Sequence, residues 1–76
     1  MDGSMKRLVR NYPYVFLAAS RGPWENHAPL ALLSECQAWA QNAHELCGTP
    51  YTIQSWRSLC RHGRELSLRM ERFLKT

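Results

Sequence analysis

The apolar residues of this 76-residue chain recur almost everywhere at the spacing of an α-helix, and nowhere in the alternation typical of a strand. The clearest run extends from Pro29 to Cys47 and stops before Gly48, since glycine tolerates the left-handed conformation that ends helices. Residues three and four apart share one side of a helix, so this run predicts an amphipathic helix with one buried side. Its inward stripe is Leu32, Cys36, Trp39, Ala43 and Leu46, flanked by Leu33 and Ala40.

The same spacing predicts a helix in the first part of the chain, between Met5 and Ser20. Pro13 interrupts the pattern. Because proline suits a first helical turn, the helix is expected to begin near Tyr12 rather than at Met5. The segment 20–29 carries Gly-Pro punctuation and is predicted to be a loop. The inward positions of the first helix would be Leu8, Tyr12, Val15, Phe16 and Ala19.

Two more helices are predicted after Gly48. Thr49 can cap a free amide and Pro50 can take the first helical position, so a helix over 50–61 is expected. Gly63 is expected to end or bend this helix, and a last helix would cover about 64–75. The chain is therefore predicted to be a single all-α domain, residues 1–76, built as a small bundle of about four helices. The inward side chains of the last two helices would be Ile53, Trp56, Cys60, Leu66, Met70, Phe73 and Leu74.

The size of the chain bears on its stability and its location. A domain this short buries only about 60% of its unfolded surface, so a monomer would be marginally stable and a homodimer would help. Residues 1–4 are predicted to be disordered or foreign to the natural protein, with Met5 as the natural start. No apolar run approaches the roughly 20 residues of a membrane span, and the short run YVFLAA lacks a signal-cleavage site. We therefore expect a cytoplasmic protein without a membrane partner.

The cysteines and histidines favour neither a metal nor catalysis. Cys36, Cys47 and Cys60 are odd in number and widely spaced, which predicts reduced thiols packed near apolar helix faces. Cys60 and His62 stand at a poor chelating spacing, so no metal and no cofactor are expected. His44 lies one helical turn from Cys47, but a thiol on an apolar stripe is explained better by packing than by nucleophilic chemistry. With no convincing pair of carboxylates and no glycine-rich phosphate loop, no catalytic residue and no enzyme activity are predicted.

The charge is divided unevenly along the chain. The net charge is +4, and the sequence pI is near 9.3. Residues 22–56 contain three glutamates and neither Lys nor Arg, whereas the Lys and Arg residues lie in 1–21 and 57–76. Two basic segments around an acidic centre favour an electropositive surface that suits phosphate. The alternative is that these arginines only keep the helices soluble.

The segment AHELCGTPYTIQSWR, residues 43–57, resembles the helix-turn-helix of lambda-repressor-like (Xre/Cro-type) regulators. Those proteins read small-x-x-Leu-Gly-Val-Ser-x-x-Thr-Ile-x-x-Trp. Their turn glycine falls on Cys47, with Gly48 one place later, and the stripe from Leu32 to Leu46 indicates one long helix where the family has a short one. The positions that match are Ala43, Leu46, Thr49, Thr52, Ile53 and Trp56.

This resemblance implies a small sequence-specific DNA-binding regulator, a repressor of phage or plasmid type, with helix 50–61 in the major groove of double-stranded DNA. Gln54 would pair with adenine, and Tyr51 would touch a thymine methyl group or a phosphate. Ordinary solvent-facing positions remain the alternative for the polar residues of this set. The full set of implied DNA contacts is Thr49, Tyr51, Gln54, Ser55, Arg57, Ser58, Arg61 and Arg64.

The competing hypothesis is a small helical module or inhibitor, of the kind that phages encode, that binds a host protein. Aromatic side chains and arginines are the usual anchors of protein interfaces, and this chain has both. The alternative for the aromatic residues is that they cover the small core, and the sequence leaves this choice open. The interface would consist of Tyr12, Tyr14, Phe16 and Trp24, with the arginine-rich last helix beside them.

Overall fold

The computed structural model describes residues 3–20 and 28–74, and of Leu74 it describes the backbone alone. Four helices follow one another in this part of the chain: α1 (Ser4–Asn11), α2 (Pro13–Ala19), α3 (Leu30–Cys47) and α4 (Ile53–Leu74). The described residues contain no strand, so the predicted all-α class is confirmed. The number of helices also agrees with the prediction, but the way the chain is divided into them does not.

The first predicted helix is in fact two helices separated at Tyr12. The Tyr12 N–H donates to the carbonyl of Leu8 and closes the last turn of α1. Pro13 then occupies the first turn of α2. The expected start near Tyr12 is therefore correct for α2, and α1 is an additional helix before it. The expectation that residues 1–4 lie outside the fold is wrong for Ser4, which begins α1 and is buried. The predicted loop at 20–29 falls mostly outside the described residues.

The long helix α3 supplies the centre of the core, as predicted. Trp39 is fully buried, and its indole Nε1 donates a hydrogen bond of 2.8 Å to the carbonyl oxygen of Leu59 on α4. The rings of Tyr12 and Phe16 meet the Trp39 ring edge-on, at centroid distances of 5.6 and 5.3 Å. The whole predicted stripe is inward: Leu32, Leu33, Cys36, Trp39, Ala40 and Ala43 are buried and Leu46 is half-buried.

Helices α3 and α4 run antiparallel and are joined by the short segment 48–52. The pairing is defined at one end by Trp39 against Leu59 and at the other by an ion pair between Glu35 and Arg69. Helix α2 packs across both long helices, and α1 packs against α2 and α3. The two short helices therefore cover one side of the α3–α4 pair.

The predicted break at Gly63 does not occur, because α4 continues through this residue for 22 residues in all. The glycine is needed for packing: a Cβ atom at position 63 would lie only 2.6 Å from Cζ2 of Trp39. Gly63 lets the buried indole approach the α4 backbone, where it reaches the Leu59 carbonyl. The separate helices predicted over 50–61 and 64–75 are thus one helix.

Helix α4 begins later than predicted. The Thr52 hydroxyl oxygen accepts a hydrogen bond of 3.1 Å from the backbone N–H of Ser55, so Thr52 caps the helix. Thr49 was expected in that role, but its hydroxyl donates to the carbonyl of Glu45 at the end of α3. Ile53 was expected to face inward and is 72% exposed, because the later start turns this position away from the core.

The remaining inward positions of α4 agree with the prediction. Leu66 and Met70 are buried, as is Leu59, and Trp56, Cys60 and Phe73 are half-buried against the core. None of the described helices is both long enough and apolar enough to cross a membrane.

Candidate functional site

Three arginines lie on one side of the first half of α4. Arg57, Arg61 and Arg64 follow each other at steps of four and three, so they stand on successive turns of the helix, and all three are exposed. Gln54 and Ser58 complete the same exposed side, three residues before Arg57 and Arg61 respectively. The structure therefore brings together five of the eight predicted DNA contacts on one helical face.

Helix α1 adds a second group of cations next to this face. Its N-terminal end is held near the start of α4 by a hydrogen bond of 2.7 Å between the hydroxyls of Ser4 and Tyr51. Its C-terminal end is followed by Tyr12, which is hydrogen-bonded to Cys60 and close enough to Arg64 for an electrostatic interaction. The two ends of α1 therefore lie near the start of α4 and near Cys60, while the helix itself packs against α2 and α3. Its exposed cations are Lys6, Arg7 and Arg10.

We call Lys6, Arg7, Arg10, Arg57, Arg61 and Arg64 together the basic surface. Residues 3–20 and 46–64 contain no Asp or Glu, so no carboxylate lies within either segment that forms this surface. The nearest carboxylates along the chain are those of Asp2, Glu45 and Glu65. Arg69, further along α4, is paired with Glu35 and is not part of the basic surface. Each of the two segments therefore carries only positive charge between these carboxylates.

Tyr51 and Thr49 have structural contacts that the prediction did not include. The Tyr51 ring is stacked on Trp56, with centroids 5.5 Å apart, and its hydroxyl bonds to Ser4. Tyr51 remains partly exposed, so it lies at the edge of the basic surface while it holds α1 in place. Thr49 lies at the end of α3, and its hydroxyl is directed to the Glu45 carbonyl.

A groove adjoins this arginine-bearing face of α4, between the last turns of α3 and the first turns of α4. It has a volume of about 860 Å³ and is open to solvent along its length. Ser55, Ser58 and Gln54 line it from α4, so Ser55 faces this groove rather than the arginines. Its lining from α3 includes Asn42 and Glu45, and His62 lies further along α4. We call this feature the α3–α4 groove.

The residues of the alternative protein interface are not brought together as one exposed cluster. Tyr12 and Phe16 are half-buried, and their rings pack against Trp39 as part of the core. Tyr14 is exposed, and Trp24 lies outside the described residues. Two of the four aromatic side chains thus have a structural role that accounts for them.

The described residues offer no metal centre, since no group of three or more potential ligands within 3–20 and 28–74 is close enough to hold an ion. All three cysteines are free thiols. Burial raises the pKa of Cys36 to about 11, with a further increase from Glu35 and an opposing effect of Arg69. Burial also raises the pKa of Tyr12, as do the charge and hydrogen bond of Cys60, and Arg64 lowers it. A thiol held protonated in this way is a poor nucleophile.

Sequence reasoning missed two parts of this site. The cations of α1 were visible as a basic segment, but their position beside α4 depends on the contacts of Ser4 and Tyr12. The α3–α4 groove left no signal in the sequence, because Asn42 and Glu45 are ordinary solvent-facing residues until α4 is placed beside them.

Comparison of the chain with protein-family models, with curated proteins and with solved structures finds no match.

Proposed function

We propose that this protein binds double-stranded DNA through the basic surface and acts as a small transcriptional regulator. The observation that carries the proposal is the presence of six exposed cations on α1 and on the first half of α4, within segments free of carboxylates, with both ends of α1 near α4. Cations placed in this way neutralise phosphates and release the counterions condensed on DNA, which is the main source of non-specific affinity.

Helix α4 supplies side chains that suit base recognition. Its exposed side presents Gln54 and Ser58 between arginines, and an α-helix fits the major groove of B-DNA. Gln54 can pair in a bidentate manner with adenine, and the exposed Ile53 at the start of α4 can contact a thymine methyl group. Arg57, Arg61 and the cations of α1 would then bind phosphates on either side of the groove.

A regulator of this size would act by occupying its site. Binding of α4 in the major groove at an operator would exclude other proteins from the same DNA, which is sufficient for repression. The segment similar to a helix-turn-helix, 43–57, would form the junction that presents α4 to the groove. Duplex DNA is the partner in this proposal.

The test is the binding of a fluorescently labelled random-sequence duplex, followed by anisotropy across a salt series. We expect affinity that falls steeply with salt, and a slope that decreases by about 1.8 in the double variant Arg57→Ala/Arg61→Ala, because two phosphate contacts are lost. Arg72→Ala is the control for charge loss elsewhere on α4: it removes one positive charge outside the basic surface and should leave the slope nearly unchanged, whereas Arg57→Ala alone should lower it by about 0.9.

Base recognition is tested separately with Gln54→Ala. This variant should retain the salt slope of the wild type. Among duplexes selected by the wild-type protein, it should discriminate less between bases at one base-pair position. Absence of binding to any duplex at low salt would refute the proposal, because phosphate contacts do not require the correct sequence.

A further inference from the structure

The α3–α4 groove is a second surface, distinct in its chemistry from the basic surface. Its apolar floor consists of Leu46 and Leu59, and the fully buried Trp39 belongs to the core next to them. Its sides carry hydroxyl and amide groups, including those of Asn42 and Ser58. An apolar floor between a few polar groups is the usual composition of a binding site for a small ligand or a short peptide.

The charge of the groove has the opposite sign to the rest of the protein. Among the described residues that line it, Glu45 is the only carboxylate, His62 is the only other titratable side chain, and there is no Lys or Arg. The whole chain nevertheless has a net charge of +4. The groove therefore favours a cation at a position where the neighbouring surface of α4 favours an anion.

The polar groups match a guanidinium better than an ammonium. Guanidinium has five N–H donors in a planar arrangement, and the groove offers the Glu45 carboxylate together with amide and hydroxyl oxygens as acceptors. The methylene groups of an arginine would lie over the apolar floor. The volume of about 860 Å³ is larger than one side chain requires, so it accommodates a segment of several residues.

We propose that the α3–α4 groove binds a short segment of a partner protein through an arginine side chain of that segment. The guanidinium pairs with Glu45, and its aliphatic part contacts Leu46 and Leu59. The partner segment has no carboxylate next to the arginine, because this would compete with Glu45. The groove shares Gln54 and Ser58 with the side of α4 proposed for DNA, but the inference rests on Glu45, Leu46 and Leu59, which are not among the proposed DNA contacts.

The first experiment uses small probes that isolate the side-chain chemistry. N-acetyl-arginine N-methylamide is titrated into ¹⁵N-labelled protein, with N-acetyl-glutamate N-methylamide as the comparison. We expect shifts caused by the arginine probe to be confined to residues such as Asn42, Glu45, Ser58 and the Trp39 indole. The glutamate probe should cause none there. Shifts spread over the whole protein, or equal shifts with both probes, would overturn the proposal.

The variant Glu45→Gln tests the ion pair. It keeps the side-chain shape and the helix propensity, and it should weaken binding of the arginine probe about fivefold, equivalent to about 1 kcal/mol. Glu65→Gln removes the same charge from the exposed side of α4 outside the groove, and it should change the affinity by less than about twofold. Equal effects of the two variants would show that only net charge matters and would refute the proposed site.

Two other occupants give distinct results. Shifts of the same residues with protein concentration, in the absence of a probe, would identify a second copy of the chain as the occupant. Shifts of Asn42 and Glu45, which are not proposed DNA contacts, with duplex DNA and not with the arginine probe would assign the groove to DNA. Either result would contradict the proposal of a partner segment.

Discussion

Gly63 shows how a single residue allows the two long helices to approach. A Cβ atom here would lie 2.6 Å from the Trp39 ring, which is fully buried and held by its hydrogen bond to Leu59. We expect Gly63→Ala to lower the free energy of unfolding by about 1–2 kcal/mol, because overpacking outweighs the gain of about 1 kcal/mol in helix propensity. Urea denaturation followed by circular dichroism measures this change.

Gly48→Ala is the matched control for this prediction. Gly48 has an ordinary backbone conformation, with φ of −89°, and its Cβ would lie at an ordinary 3.4 Å from the carbonyl oxygen of His44. We expect the free energy of unfolding to be unchanged or to rise by up to about 1 kcal/mol. A Gly63→Ala protein as stable as the Gly48→Ala protein would contradict the packing role of Gly63.

The buried thiol of Cys36 should make the protein less stable at alkaline pH. Its pKa of about 11 lies above the ordinary value of 9.0, so the folded state binds this proton more tightly than the unfolded chain does. The free energy of unfolding therefore keeps its full value below pH 9. It decreases by on the order of 2 kcal/mol as the pH rises from 9 to 11. Tyr12, whose pKa is also raised, acts in the same direction.

The comparison of wild type with Cys36→Ala isolates the thiol. The free energy of unfolding, measured between pH 7 and 11, should fall less steeply for the variant, although the variant is less stable at pH 7 because it lacks the buried sulfur atom. Parallel curves for the two proteins would exclude Cys36 as the source of the alkaline loss.

At the level of the elements, the capping role that the sequence predicted for Thr49 belongs to Thr52. Thr52 caps α4 by accepting from the Ser55 N–H, and Thr49 donates to the last turn of α3. We expect Thr52→Ala to destabilise the protein by about 1 kcal/mol and Thr49→Ala by less than about 0.5 kcal/mol. Thermal denaturation of both variants checks the order, and a larger effect of Thr49→Ala would place the start of α4 at Pro50.

The helix boundaries also show which sequence patterns predicted the structure correctly. The stripe of α3 was predicted correctly because it extends over four turns, and a long amphipathic pattern has only one buried side. Pro50 and Gly63 were read as boundaries, but local rules do not reveal that Thr52 competes as a cap or that Trp39 needs the space at position 63. A glycine within a regular helical pattern is as compatible with close packing as with a stop.

For the whole molecule, the position of α1 determines how large the basic surface is. We expect Arg7→Ala/Arg10→Ala to reduce the salt slope of duplex binding by about 1.8, the same amount as Arg57→Ala/Arg61→Ala. The reason is that the cations of α1 and those of α4 would neutralise different phosphates. Fluorescence anisotropy at several salt concentrations measures both slopes. Unchanged binding in the α1 variant would restrict the DNA interface to α4.

The sequence by itself determined the all-α class, the buried stripe of α3 and the basic character of the two ends of the chain. These properties follow from helical periodicity and from charge, both of which are local to each segment. The tertiary structure decided that α1 stands beside α4 and that Ser55 faces a groove with Glu45. It also decided that Tyr12 and Phe16 belong to the core. Such neighbours come from distant parts of the chain, and only the packing around Trp39 brings them together.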